Sequence, residues 1–163
     1  MKWNTQTDPA WSKVVMTQSE TWIDTLGRWG CLVTCLANIL QFIRDKTLTP
    51  KDMNDIIRQI ECYEYLNDPA TPENRASIIV WPKLMSFFSD SVEIKLRLDQ
   101  SEWRRHPDYF YIARVKHDIT AGSHYINVFT KSRKHFWCFD VEDGNIKAYN
   151  PEEIIYLHEV RRK

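Results

Sequence analysis

Hydrophobic and polar positions change their rhythm about halfway along the 163 residues of the chain. From Cys31 onward, apolar residues at 32, 35, 36, 39 and 43 recur at helical spacing. Positions 33, 37 and 40 are apolar too, so a helix from Cys31 to about Asp45 keeps only a polar stripe through Thr34, Asn38, Gln41 and Asp45. A helix apolar around most of its girth belongs inside a domain. A second helix is signalled by Thr49 as N-cap, Pro50 at the first helical position and Asp52 in the first turn. Its apolar stripe is Met53, Ile56, Ile57 and Ile60. Turn chemistry fills 61–77. A short helix is expected from Trp81 to Phe88, and Ile78-Ile79-Val80 before it fits a brief strand equally well.

From residue 92 the period becomes two. Val92, Ile94, Leu96 and Leu98 alternate with charged residues, and a turn is expected over Ser101–Pro107. Tyr109–Lys116, His124–Thr130, His135–Val141 and Asn145–Tyr149 read as strands, the last entered through a tight turn at Asp143-Gly144. Asn150-Pro151-Glu152-Glu153 is a capping arrangement that predicts a C-terminal helix. Helices first and meandering strands second predict an α+β domain, its N-terminal helices packed on a C-terminal antiparallel sheet. Residues 1–30 carry Trp3, Trp11, Trp22 and Trp29 among polar and turn residues. They are expected to lie as an irregular arm on one domain spanning 1–163.

Lysine plus arginine balances aspartate plus glutamate at 22 each, which removes the electrostatic argument for a nucleic-acid or anionic-membrane partner. No segment reaches the ~18 consecutive apolar residues of a membrane span. The N-terminus lacks the apolar core of a secretory signal, so a soluble, cytoplasmic product is expected. The four cysteines, Cys31, Cys35, Cys62 and Cys138, include no Cys-x-x-Cys pair and are expected to be free thiols. The chain has no Gly-x-Ser-x-Gly, no His-Glu-x-x-His, and too few glycines (four) for a phosphate loop. No metal or organic cofactor is expected.

Cys31 has the setting of a reactive thiol. It sits where a glycine-bearing approach turns into a buried helix, among unpaired backbone N–H groups whose partial positive charge favours a thiolate. A thiolate nucleophile needs a base and a group to orient that base. His124 begins one strand and Asp140 ends the next. If the two strands form a hairpin, these residues are cross-strand neighbours, and the carboxylate can hold one ring nitrogen while the other faces the thiol. Cys35, one turn inside the helix, and Cys138, on a strand, are expected to be structural, whereas Cys62 carries no signal. His106, His117, His135 and His158 are expected at surfaces or interfaces, and the rival pair His117-Asp118 falls in an apparent loop.

These residues carry a resemblance. Asp8-Pro9-Ala10-Trp11-Ser12, the run from Thr25 through Gly30-Cys31 to Ala37, and Leu48-Thr49-Pro50 through Asn54 resemble papain-like cysteine peptidase domains related to bacteriocin-leader-processing (double-glycine) peptidases. The likeness is greatest to the small phage and bacterial versions. His124-Tyr125-Ile126-Asn127-Val128-Phe129 and Phe139-Asp140 through Gly144 look like their later strand and turn. Three positions depart from the pattern: Cys35 stands where serine is usual, Asn38 where an apolar residue is usual, and Val141 where proline is frequent.

The resemblance implies a thiol hydrolase in which Cys31 is the nucleophile, His124 the general base and acid, and Asp140 the orienting carboxylate. Its substrate would be a peptide or protein, cut at a peptide or isopeptide bond through an acyl-thioester. The oxyanion donors would come from Gln18, Ser19 or Thr25 together with the backbone N–H of Cys31. A phage-encoded member would act in the host cytoplasm. The same residues are compatible with transglutaminase-like acyl transfer to an amine. They are also compatible with a catalytically silent papain-like fold kept as a binding or inhibitory module. The tryptophans suit either a substrate groove or packing of the arm, and no oligomeric state is indicated.

Overall fold

The chain enters its central helix at Gly30. The computed structural model describes residues 2–16, 25–66, 76–116 and 123–163. In it, α1 (Leu26–Trp29) is followed at once by α2 (Cys31–Ile43). The junction admits only glycine, because a Cβ at Gly30 would stand 2.4 Å from the carbonyl oxygen of Leu26. Without Gly or Pro inside it, α2 runs on until Asp45 takes φ 48°, the left-handed region that aspartate tolerates. α3 (Pro50–Gln59) opens with a capping box. The Asp52 N–H donates to the Thr49 hydroxyl at 3.1 Å and the Thr49 N–H to the Asp52 carboxylate at 2.9 Å.

Two short strands, β1 (Tyr63–Leu66) and β2 (Ala76–Ile79), pair antiparallel ahead of α4 (Trp81–Phe87). Six strands follow: β3 (Val92–Leu98), β4 (Tyr109–Lys116), β5 (Ser123–Lys131), β6 (Phe136–Phe139), β7 (Ile146–Tyr149) and β8 (Ile154–Arg162). They form one antiparallel sheet in the order β3-β8-β4-β5-β6-β7. The architecture is α+β, as the pattern predicts, with α2 packed against β5 and β4.

The expected C-terminal helix is absent. The Glu153 carboxylate does accept from the Asn150 N–H, but only a 3-10 turn over Pro151–Glu153 results, and the chain then extends as β8. That strand lies between β3 and β4, so ladder hydrogen bonds on both edges outweigh the local cap. The turn region expected over 61–77 likewise contributes β1 and the start of β2.

Both faces of the sheet are buried. Ile112, Phe139 and Val160 pack with Leu36 and Ile39 of α2, while Ala113, Ile126, Cys138 and Leu157 belong to a second cluster with Phe136 and Tyr111. In the polar stripe of α2, Thr34, Asn38 and Gln41 are buried, and Asp45 beyond the helix end is exposed. Asn38 accepts from the Asn4 N–H at 2.7 Å and donates to the Asn4 carbonyl and to Asn127 Oδ1, each at 3.1 Å. Asn127 in turn donates to the Cys35 carbonyl at 3.1 Å, and Gln41 to the Lys2 carbonyl at 2.9 Å. Trp3 sets its ring 5.1 Å from Phe42, 4.7 Å from Phe129 and 5.5 Å from Phe139, centroid to centroid. The described part of the arm therefore lies on the domain, and Trp3 serves packing.

Candidate active site

Cys31 is the first residue of α2 and is half-buried, and the N-cap position before it is Gly30, which has no side chain to cap with. The backbone N–H groups of its first turn have no acceptor within the helix. His124, second residue of β5, is 7% exposed, and Asp140, just beyond the end of β6, is 4% exposed. The hairpin expected from the sequence is present, and it brings His124 Nε2 to 2.7 Å from Asp140 Oδ1. Cys31 lies near enough to the same imidazole for its side chain to help raise the ring's pKa. With Nε2 engaged by Asp140, Nδ1 is the ring nitrogen that remains for the sulfur. Of the three residues singled out from the sequence, His124 and Asp140 are in direct contact, and Cys31 is close enough to influence the His124 ring.

Their electrostatics are coupled. Burial alone pulls the His124 pKa down, but Asp140 and Cys31 together push it up to about 10. The ring therefore carries a proton at neutral pH. Burial pushes the Asp140 carboxyl up, yet His124, Lys147 and the Glu142 N–H together hold it well below the usual carboxylate range. Burial pushes the Cys35, Cys62 and Cys138 thiols up, so they stay protonated. Cys35 and Cys138 are buried structural thiols, as expected; Cys62 is buried too, its thiol donating to the Val80 carbonyl at 3.2 Å.

Asp140 is held from more sides than the sequence suggested. Its Oδ1 also accepts from the Glu142 N–H at 3.0 Å, and its Oδ2 accepts from Lys147 Nζ at 2.7 Å and the Tyr149 hydroxyl at 3.3 Å. Lys147 lies opposite Cys138 in the β6–β7 pairing and also bridges Asp143 at 2.7 Å. The turn between these strands closes through the Gly144 N–H on the Asp140 carbonyl at 2.9 Å, with Gly144 at φ 76°. Among the described residues, His124, Asp140 and Glu142 each bring one potential metal-ligand atom within 4.8 Å of the others. Lys147 and the His124 proton already occupy both Asp140 oxygens, which opposes a cation there.

The other candidates fare differently. Gln18, Ser19 and the pair His117-Asp118 lie outside the described residues. Thr25 stands before α1, its hydroxyl capping nothing and its carbonyl accepting from the Arg28 and Trp29 N–H groups. His106 is exposed and His135 half-buried. His158, expected at a surface or interface, is 1% exposed, because β8 is an inner strand. One residue without any sequence signal is Gln6. It is buried, its backbone N–H donates to the Val141 carbonyl at 2.7 Å, and its Nε2 donates to the Gly27 carbonyl at 3.2 Å. Gln6 thereby ties the approach to Cys31 to the turn that carries Asp140. In comparisons with known proteins, the chain matches no protein-family model and no curated protein sequence.

Proposed function

We propose that this protein is a papain-like thiol hydrolase that cleaves a peptide or isopeptide bond through an acyl-thioester on Cys31. What supports the reading is the buried His124–Asp140 pair at 2.7 Å, with Cys31 at the start of α2 near enough to raise the pKa of the His124 ring. In the reaction, His124 holds the Cys31 proton and leaves a thiolate. The sulfur adds to the substrate carbonyl carbon, and the oxygen takes up the negative charge facing the N–H groups at the start of α2. His124 gives its proton to the departing amine, and the thioester remains. Water then loses a proton to His124 and attacks the thioester, releasing the acid and restoring the thiol. Asp140 keeps the imidazolium oriented throughout and is itself fixed by Lys147, Tyr149 and the Glu142 N–H.

Selective alkylation tests this reading. With iodoacetamide at pH 7 and mass-spectrometric readout, Cys31 is expected to react at least about tenfold faster than Cys62, since only a thiolate is a good nucleophile. Equal rates for the two would overturn the proposal.

A further inference from the structure

Beside the Cys31–His124 pair, four neighbouring strands lay out a row of cationic and phenolic side chains that this chemistry leaves unused. Arg114 of β4 is directly across from Tyr125 of β5 on one side and from Tyr156 of β8 on the other. Arg114 Nη1 donates to the Tyr156 hydroxyl at 3.2 Å, and the Tyr156 and Tyr125 hydroxyls are 2.9 Å apart. Arg97 sits in the irregular stretch of β3 at φ 56° and brings its guanidinium to 5.9 Å from the Tyr156 ring centre, while Arg114 stands at 5.4 Å from it. The His158 ring packs behind them, 4.6 Å from Trp81 and 5.0 Å from Tyr156, centroid to centroid.

This row has donors without acceptors. His158 is 1% exposed, and its Nδ1 accepts from the Arg97 N–H at 3.3 Å. The ring proton must then sit on Nε2, which has no hydrogen-bond partner among the described residues. Burial, then the charges of Arg97 and Arg114, pull the His158 pKa down to about 4, so the ring is a neutral donor at neutral pH. Nε of Arg114 is equally buried and unpartnered. No carboxylate pairs with Arg97 or Arg114 among the described residues. Buried guanidinium and imidazole N–H groups are ordinarily satisfied, and a carboxylate is the group that suits two arginines. The outer edge of the row meets solvent, because Arg97 is exposed and Tyr125 and Tyr156 are half-buried, and the two unpartnered N–H groups lie buried behind it. It also lies next to the chemistry. Tyr125 and Cys31 pack against the same core cluster, and the Tyr125 hydroxyl is held above its ordinary range by burial, by Tyr156 and also by the charge of Cys31.

We infer that Arg97, Arg114, Tyr125, Tyr156 and His158 form a carboxylate-binding subsite that selects substrates with an aspartate or glutamate side chain close to the bond Cys31 attacks. The inference rests on the hydrolase reading for the word substrate, but the anion site stands on its own geometry. Two measurements on the intact protein separate the two claims. In the first, a mixed peptide library is digested and the cut sites are read by mass spectrometry. Acidic residues are expected to be enriched about tenfold over Asn and Gln at one fixed position within about three residues of the cut. That enrichment should vanish in Arg97→Gln and Arg114→Gln variants whose melting shows them folded. Cleavage without acidic enrichment overturns the subsite and leaves the hydrolase standing. In the second, the Arg114 Nε–H and His158 Nε2–H resonances are followed by NMR during titration with N-acetylglutamate amide or N-acetylglutamine amide. Saturable shifts with the acidic compound alone support the subsite even if no peptide is cut, and identical responses to both overturn it.

Discussion

Replacing Asp140 by asparagine keeps the shape of the side chain and removes its charge, which makes it a direct probe of the His124 environment. In the native protein His124 titrates at about 10 in place of 6.5, a rise that corresponds to on the order of 5 kcal/mol shared between Asp140 and Cys31. Breaking a buried pair by removing one partner costs about 3–5 kcal/mol. Lys147, 42% exposed, recovers its hydration when its partner is lost, so about 3 kcal/mol is expected. The sign follows from linkage. The raised His124 pKa contributes stability that is complete below pH 6.5 and is lost as the pH climbs through about 10. The lowered Asp140 pKa contributes stability present above 3.8 that is lost as the pH falls below that value. Below pH 6.5, His158 weakens native and variant proteins alike, because it resists protonation to about 4, and it cancels from the difference. Urea unfolding should therefore show the largest gap between native protein and Asp140→Asn near pH 5.5. The gap should shrink toward about 1 kcal/mol near pH 10, where only a neutral hydrogen bond is at stake. NMR titration of the His124 ring in the native protein supplies the independent check. A pH-independent gap, or a His124 that titrates near 6.5, would refute the reasoning.

Asn38→Ala removes three hydrogen bonds and strands the Asn127 amide oxygen inside the protein. About 3 kcal/mol should be lost, with a lower urea midpoint and an unchanged slope, and a loss under about 1 kcal/mol would mean the network is not structural. Gly30→Ala forces a methyl group to within 2.4 Å of the Leu26 carbonyl oxygen, so α1 and α2 must part. That variant should lose about 1–3 kcal/mol, and iodoacetamide should modify Cys31 more slowly in it than in the native protein. Native stability together with native alkylation would show that the helix junction does not set the position of the sulfur.

Much of the site was legible because it depends on local patterns. The strand-like run Tyr109–Lys116 matches β4 residue for residue, and the Thr49–Asp52 cap starts α3 where expected. Hairpin topology alone was enough to set His124 beside Asp140. What was illegible depends on partners far away in sequence. β8 carries Ile, Tyr, Leu, His, Glu and Val in an order that suits either period, and only its place between two strands decides for extension. The same central position buries His158, whose charged neighbours in sequence suggest a surface. Lys147 reaches Asp140 through a strand pairing, and Gln6 reaches Val141 beside it through an arm that follows no periodicity. The polar stripe on α2 called for polar surroundings, and it is the backbone of that arm that supplies them.

The arm has a consequence for the order in which the molecule assembles. α2 and the β4–β5 hairpin can form from residues close together in sequence. The contacts that join residues 6 and 7 to the Asp140 turn cannot, since Thr7 donates to the Glu142 carbonyl across a sequence separation of 135. Such closures carry the largest entropic cost and gain nothing until both ends are nearly in place. The helix that holds Cys31 is thus available early, while the brace between its approach and its histidine's carboxylate comes last. The surroundings of the sulfur are completed only when nearly the whole chain has folded.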